Sequence, residues 1–122
     1  MGSVQTSAEV NIIIPNWNGL RFLPACLASI EQQRFVGLQI TVVDNGSHDG
    51  SLEYLREKHP QVHVIALPEN RGFSAAVNKG ILSSTAPFVF LLNNDTELEP
   101  ACLSQLVKAA KELKGFAFFS PK

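Results

Sequence analysis

The sequence predicts an α/β fold with a mostly parallel sheet covered by helices. Short β-rich runs alternate with amphipathic helical segments along the chain, which is typical of strands joined by crossover helices. Residues 88–92 (FVFLL) are continuously apolar, as in a strand buried on both faces in the middle of a parallel sheet. No internal repeat or low-complexity linker interrupts the pattern. We therefore expect one domain over residues 10–122, preceded by a disordered leader over residues 1–9.

The first half of the chain predicts two strands and two helices. A strand is expected over residues 10–14, ended by Pro15, and a helix over residues 20–33 with its apolar residues on one face. The second strand is expected over residues 38–43. A short helix follows, with Asp49 or Ser51 as its capping residue.

The second half repeats this alternation. In order, it predicts a strand over 62–66, a helix over 73–83, a strand over 88–92, a helix after Pro100 and a fifth strand beginning over 116–119. Val77 and Ile81 are expected to face inward from their helix.

Composition excludes several classes of function. The formal net charge is -1 and charges of both signs are spread through the 122 residues, so no basic stripe for nucleic acid is present. The longest apolar runs are strand-sized, far below the roughly 20 residues of a membrane-spanning helix. Cys26 and Cys102 lie in different predicted helices and are expected to be buried free thiols. Pro60 separates His59 from His63, which excludes a zinc pair on one helical face.

Polar residues collect directly after three of the predicted strands. They are Asn16 and Asn18 after the first strand, Asp44 and Asn45 after the second, and Asn93, Asn94 and Asp95 after the fourth. The carboxyl ends of parallel strands share one edge of a sheet, and ligands bind in the crevice at that edge. We therefore expect these three segments to form one binding site.

The usual nucleotide fingerprints are missing. No Gly-x-Gly-x-x-Gly follows the first strand and no Gly-Lys-Ser/Thr phosphate loop is present, which argues against a dinucleotide oxidoreductase and a P-loop kinase. The phosphates of a nucleotide would need other partners. The candidates are a divalent cation on Asp95 and the side chain of Arg71, which lies between Asn70 and Gly72 just before a helix.

Four motifs in this order resemble those of the inverting GT-A glycosyltransferases of family 2, notably the rhamnosyltransferase-like branch. They are residues 13–19 (IIPNWNG), 42–50 (VVDNGSHDG), 69–73 (ENRGF) and 91–96 (LLNNDT). The resemblance covers about residues 10–120. It implies a Rossmann-like nucleotide-binding sheet, a UDP- or dTDP-sugar donor and Mg or Mn as cofactor.

The resemblance also implies roles for single residues. It places Pro15 and Asn18 against the nucleotide and Asp44 against the base, where a carboxylate can accept the ring N–H of uracil or thymine. The alternative for Asp44 is a turn residue that bonds the backbone near Gly46. The remaining nucleotide-sugar contacts implied are Asn16, Asn45, Arg71, Gly72, Phe73, Asn78, Asn93 and Asn94.

Asn45, Arg71 and Trp17 each have two possible interpretations. Asn45 could be only a turn residue, and Arg71 could be a solvated loop charge. Trp17, the single tryptophan, either stacks on the base or fills the edge of the core, and the core is preferred.

Asp95 is the expected metal ligand, since the last carboxylate of the family's Asp-x-Asp-type motif holds the ion that bridges the two phosphates. Here Asn93 occupies the first acidic position, so a single carboxylate remains and the substrate phosphates would supply most of the ion's ligands. The alternative is a polar turn over residues 93–96 that leads into the next helix.

No catalytic residue is assigned. Inverting transfer needs a general base for the acceptor hydroxyl, and the family takes it from an acceptor half expected beyond residue 122. We therefore expect a truncated, donor-binding portion of a cytoplasmic enzyme at the inner face of the plasma membrane, in cell-wall polysaccharide synthesis. Its acceptor would be a saccharide or a lipid-linked molecule, and an uncovered sheet edge predicts a homodimer. The alternative is a non-catalytic nucleotide-binding or protein-interaction module.

Overall fold

The computed structural model describes residues 8–33 and 37–112 as alternating strands and helices. The elements are β1 (Val10–Asn16), α1 (Leu23–Glu31), β2 (Leu38–Asn45), α2 (Ser51–Lys58), β3 (His63–Leu67), α3 (Phe73–Ser83), β4 (Phe88–Leu91) and α4 (Cys102–Glu112). All three strand pairings in this part of the chain are parallel. The predicted α/β, Rossmann-like class is therefore confirmed.

The strand order is β3-β2-β1-β4. The connections through α1 and α2 carry the chain in one direction, from β1 to β2 to β3, and α3 then returns it to the other side of β1. The order thus reverses between β1 and β4. Ligands of open α/β sheets bind outside the carboxyl ends of the strands at such a reversal.

The two faces of the sheet carry separate apolar clusters because successive strand residues point to opposite sides. Ile12 and Ile14 of β1 lie in the larger cluster, together with buried residues of α1, α2 and α4. Ile13 lies in the smaller cluster with Val43, Leu67 and Ala76 of α3. Helices therefore cover both faces, as predicted.

Helix α3 approaches the sheet through small residues. Ala76 and Gly80 are its buried positions, and a Cβ atom on Gly80 would lie 3.2 Å from Val43 Cγ2 and collide with Ile13. The bounds predicted for this helix are confirmed. The predicted inward orientation of Ile81 is wrong, because the close contact at Gly80 rotates it to the surface, where it is 41% exposed.

Two strands extend further than predicted. Strand β1 continues past Pro15 to Asn16, and β2 continues to Asn45, so that Asn16 and Asp44 are paired in register at the end of the ladder. Helix α1 begins three residues later than predicted, since residues 19–22 form a turn in which Leu23 N–H bonds Gly19 O at 3.1 Å. Strand β3 begins and ends one residue later than predicted, and β4 one residue earlier at its end.

The predicted central position of β4 is wrong for the part of the chain that the structure describes. There, β4 pairs with β1 alone and lies at one end of the sheet. Phe90 is buried in the larger cluster, whereas Val89 and Leu91 are half-buried beside α3. An apolar run can thus mark a strand whose second face is only partly covered. The predicted fifth strand lies outside the described residues, as do residues 1–7 of the predicted leader.

Both cysteines are free and lie in helices, as predicted. Cys26 is buried, but Cys102 at the start of α4 is only half-buried, so the expected burial of both thiols holds for one. Within the described residues, no helix has the length and apolar content needed to cross a membrane.

Candidate ligand-binding site

The carboxyl ends of β1, β2 and β4 meet at one rim. Asn16 pairs with Asp44 across the first two strands, and Leu92 N–H bonds Ile13 O at 2.9 Å just beyond β4. An open cleft of about 340 Å³ lies at this rim, at the reversal of strand order. Its lining residues are Pro15, Asn16, Trp17, Asn45, Asn70, Phe73, Asn93, Asn94 and Asp95. The three segments predicted to converge do so.

Asn16 connects the three strand ends from inside the rim. It is 1% exposed, and its Nδ2 donates to Asp44 Oδ1 at 3.0 Å. Its Oδ1 accepts a hydrogen bond from Asn94 Nδ2 at 2.9 Å. Polar side chains of β1, β2 and the loop after β4 therefore form one continuous chain under the cleft.

Gly19 makes room for these hydrogen-bonded side chains. A Cβ atom at this position would collide with the side-chain amides of Asn94 and Asn16. Only glycine lets the first loop pass so close to these two amides. This role of Gly19 was not predicted from the sequence, although its place in the first motif was a usable signal.

Asp44 lies beneath the cleft rather than on its surface. It is fully buried, and its Oδ2 accepts the backbone N–H of Ser47 at 2.9 Å while its Oδ1 binds Asn16. This is the turn contact near Gly46 that the alternative interpretation of Asp44 predicted. Because Asp44 is fully buried, the structure does not present it to a base in the cleft, and that contact stays a prediction.

Asn18 ties the first loop to the second. It has a φ of 49°, its N–H donates to Ser47 Oγ at 2.8 Å, and its Oδ1 accepts the N–H of His48 at the same distance. Asn18 is exposed but does not line the cleft. Its predicted nucleotide contact is therefore untested. His48 is exposed, as expected for a turn residue.

Asp49 fixes the same two loops from the start of α2. Its Oδ1 accepts the N–H of Ser51 at 3.0 Å, and its Oδ2 accepts the N–H of Leu20 at 2.9 Å. Burial raises the pKa of Asp49, but the hydrogen bonds from the Ser51 side chain and from the Leu20 and Ser51 backbones together hold it below its ordinary value. The prediction of Asp49 or Ser51 as the capping residue is wrong, because Gly50, with a φ of 90°, is the N-cap and Ser51 is the first residue of α2. The bond from Asp49 to the first loop was not predicted.

Asn45 anchors the loop before α3. Its Nδ2 donates to Gly72 O at 3.0 Å, and its Oδ1 accepts the N–H of Arg71 at 2.9 Å. Beside it, a Cβ atom on Gly46 would lie 2.6 Å from Glu69 Cα. This close approach, together with a φ of 79°, requires glycine at position 46. Asn45 is thus more than a turn residue, since it places Phe73 at the cleft.

Two exposed aromatic side chains flank the cleft. Trp17 is 54% exposed and Phe73 is 56% exposed. The preferred core position of Trp17 is wrong, because the chain leaves the sheet at Asn16 and carries the next side chain outward. Exposed aromatic faces beside a cleft are suited to stacking on a planar ring.

Arg71 and Asn78 lie elsewhere. Both line a separate cavity of about 460 Å³ against α3, whose other lining residues are Leu67, Pro68, Ala75, Lys79 and Leu82. The structure therefore does not bring their side chains into the cleft with Asp95. Gly72 contributes its carbonyl to the Asn45 bond and does not line the cleft. The donor contacts implied for these residues stay predictions.

Asp95 is the one charged side chain among the residues that line the cleft. It is exposed, between exposed Asn93 and half-buried Asn94 on one side and Thr96 on the other. Within residues 8–33 and 37–112, no group of three or more His, Cys, Asp or Glu side chains could hold a metal ion. A cation here would have one carboxylate and the neighbouring amide oxygens from the protein.

Cys26 packs behind this loop. Its Sγ lies 3.9 Å from Asn93 O. Burial, and then the negative charges of Asp95 and Glu97, raise the pKa of Cys26 from 9.0 to about 12. The thiol therefore stays protonated and supports the loop as an apolar residue, not as a nucleophile or metal ligand.

The family model of Glycosyl transferase family 2 matches residues 11–121. The chain belongs to this family. The match includes all four motifs that carried the resemblance, which is thereby confirmed.

Curated relatives agree with the assignment. The uncharacterized glycosyltransferase YibD of Escherichia coli (strain K12) is 30% identical over 112 residues, which cover 89% of this chain and 32% of YibD. The putative glycosyltransferase EpsH of Bacillus subtilis (strain 168) is 27% identical over 103 residues, covering 83% of this chain and 30% of EpsH. The chain thus spans about a third of the length of these relatives.

Solved structures share the fold. TarS of S. aureus, residues 1–349, has a TM-score of 0.77 at 21% identity, over 85% of this chain and 32% of that one. The mannosyltransferase PcManGT of Pyrobaculum calidifontis, in complex with GDP-Man and Mn2+, has a TM-score of 0.72 at 27% identity. That match covers 91% of this chain and 34% of PcManGT. The fold of this chain is that of the amino-terminal part of a GT-A glycosyltransferase.

Proposed function

We propose that this chain binds the nucleoside diphosphate sugar donor of an inverting glycosyltransferase. One observation carries the proposal: the cleft lies at the reversal of strand order, with two exposed aromatic residues and Asp95 on its lining. Family membership supports it, and so do two solved structures with bound donors. TarS has been solved in complex with UDP-GlcNAc, and PcManGT in complex with GDP-Man and Mn2+. We propose a UDP- or dTDP-sugar as the donor.

The residues around Asp95 fit a divalent ion such as Mg or Mn. The Asp95 carboxylate and the amides of Asn93 and Asn94 line the same cleft and offer hard oxygen ligands. When bound, such an ion stabilises the charge that develops on the departing diphosphate. Because one carboxylate gives a weak site, we expect tight metal binding only together with a diphosphate, whose oxygens complete the ligand set.

The other cleft residues hold and orient the donor. Trp17 and Phe73 present flat apolar faces to a ring, and Asn70 and Asn93 present polar groups to hydroxyls. The loops that carry these side chains are pinned by Asn45 and Asp49, so the site is formed before the donor arrives. A preformed site lowers the entropy cost of orienting the donor.

None of the described acidic residues is assigned as the general base in this proposal. Glu97, Glu99 and Glu112 are exposed, and none of them lines the cleft. We propose that the base and the contacts to a saccharide or lipid-linked acceptor lie outside the described residues. On the family resemblance, we place the reaction at the cytoplasmic face of the plasma membrane, in cell-wall polysaccharide synthesis.

Calorimetric titration with UDP, dTDP and GDP, with and without Mn2+, tests the donor site. We expect UDP or dTDP to bind at least about tenfold more tightly with Mn2+, a difference of about 1.4 kcal/mol. Asp95→Ala should abolish this metal effect. Glu97→Ala is the matched control, since it removes an exposed carboxylate two residues away that does not line the cleft. A folded chain that binds none of the three nucleotides would contradict the proposal.

A further inference from the structure

The polar chain Asp44–Asn16–Asn94 has a fixed direction of hydrogen bonding. We propose that Asn16 is a positioning residue: it orients the side-chain amide of Asn94 so that Asn94 presents its oxygen to the cleft. The effect of this orientation on donor binding rests on the proposed function. The orientation itself follows from the donors and acceptors of three buried or half-buried side chains.

The direction is set at Asp44. An ionised carboxylate only accepts hydrogen bonds, so both of its partners must donate. One partner is the backbone N–H of Ser47, and the other is Asn16 Nδ2 at 3.0 Å. Asn16 must therefore turn its NH2 group toward Asp44. Its oxygen then faces the opposite way, toward Asn94.

The side-chain amide of Asn94 is oriented in the same way. Asn16 Oδ1 needs a donor, and Asn94 Nδ2 supplies it at 2.9 Å. The amide of Asn94 is therefore also fixed, and its oxygen and its second N–H remain for other partners. Asn94 lines the cleft, and among residues 8–33 and 37–112 no side chain or backbone group donates to Asn94 Oδ1.

Burial keeps the direction of these hydrogen bonds from reversing. Asn16 is 1% exposed and Asp44 is fully buried, so water cannot replace a lost bond. If Asn16 flipped, its oxygen would face the Asp44 carboxylate, and its NH2 group would face that of Asn94. Gly19 packs directly against the Asn16–Asn94 contact.

The consequence is selectivity at one point of the cleft. An acceptor oxygen binds a hydroxyl group and repels a phosphate oxygen. Asn94 is thus suited to a hydroxyl of the ribose or of the transferred sugar. The diphosphate is directed away from it, toward Asp95 and its cation.

A double-mutant cycle tests this inference. We expect Asn16→Ala and Asn94→Ala each to weaken UDP-GlcNAc binding in the presence of Mn2+ on the order of tenfold, and the double variant to bind no more weakly than either single variant. Additive losses, or an unchanged affinity of Asn16→Ala for UDP-GlcNAc, would overturn the proposal. Repeating the cycle with UDP separates the two hydroxyls, since losses that persist with UDP assign the contact to the ribose and losses that disappear assign it to the sugar.

Asn11→Ala is the matched control. Asn11 lies on the same strand, is also 1% exposed, and makes one buried bond, to Thr41 Oγ1 at 3.0 Å. It lies at the opposite end of β1 from the cleft. We expect its removal to lower the free energy of unfolding while UDP-GlcNAc affinity stays unchanged. A loss of UDP-GlcNAc affinity here as large as that of Asn16→Ala would make the Asn16 effect a general loss of stability.

NMR on the unmutated chain provides a readout that needs no ligand. The side-chain NH2 protons of Asn16 and Asn94 should exchange slowly with solvent, and those of Asn94 should exchange fast in Asn16→Ser. Fast exchange of both amides in the unmutated chain would overturn the proposal. If the unmutated chain fails to bind UDP, the proposed function fails, and the NMR result still decides whether Asn16 positions Asn94.

Discussion

At the scale of single residues, Trp17 tests the cleft most simply. Trp17 is 54% exposed, so Trp17→Ala should change the free energy of unfolding by no more than about 0.5 kcal/mol. Loss of a stacking surface should weaken UDP binding by roughly tenfold, or about 1.4 kcal/mol. Chemical denaturation and calorimetry measure the two effects separately.

Phe22→Ala is the control for Trp17. Phe22 is 36% exposed, carries the guanidinium of Arg21 over its ring and does not line the cleft. It should leave UDP affinity unchanged. Equal losses of affinity in both variants would show that Trp17 acts through general surface effects and not through the cleft.

Cys26 predicts an alkaline limit to stability. Burial and two nearby carboxylates raise its pKa to about 12, above the 9.0 of an exposed thiol. The unfolded chain therefore releases this proton first as pH rises. The stabilising contribution is complete below about pH 9 and is lost progressively toward pH 12.

Denaturation midpoints measured from pH 7 to 11 check this expectation. They should fall more steeply above pH 9 in the unmutated chain than in Cys26→Ala. Parallel curves for the two proteins would show that another group controls alkaline unfolding.

The sequence predicted the positions of the site residues better than their contacts. Asp95 and Asn94 were found because they follow an apolar strand. The bond between Asn16 and Asn94, and the burial of Asp44, depend on how closely three strand ends approach in space. Hydrophobic periodicity carries no information on that distance. The exposure of Trp17 was missed for the same reason.

At the scale of secondary structure, the packing of α3 is the clearest test. Gly80→Ala adds a methyl group that would collide with Ile13. We expect a loss of stability of about 1–3 kcal/mol from overpacking, reduced by the roughly 1 kcal/mol that alanine gains over glycine in a helix. The free energy of unfolding from chemical denaturation gives the difference.

Lys79→Ala serves as the comparison on the same helix. Lys79 is exposed and precedes Gly80 directly, so its removal should change stability by no more than about 0.5 kcal/mol. A more stable Gly80→Ala variant would mean that α3 can move away from the sheet without loss.

Element bounds were predictable where local signals were strong. The start of α3 at Phe73 follows Gly72, which is its N-cap residue, and the helix was predicted with its observed bounds. The start of α1 was placed too early, because the apolar spacing continues through a turn held by Gly19 O. The direction in which Ile81 points was missed, since Gly80 determines it through a tertiary contact.

At the scale of the whole molecule, the order of the strands determines where the cleft lies. Alternating strands and helices predicted a parallel sheet, but not the order β3-β2-β1-β4. That order places β1 beside β4 and thus Asn16 beside Asn94. Arg71 stayed apart because it precedes α3 and lines the separate cavity together with Asn78 and Lys79.

The central claim is that a cation at Asp95 and a nucleotide share one rim of the sheet. Paramagnetic broadening by Mn2+ in the presence of UDP, recorded on the 15N-labelled chain, tests it directly. We expect the amide signals of Asn16, Asn94 and Asp95 to broaden, while those of Glu31 and His59, near the amino edge of the sheet, stay sharp. Broadening centred on Arg71 and Asn78, or confined to the amino edge, would contradict the account.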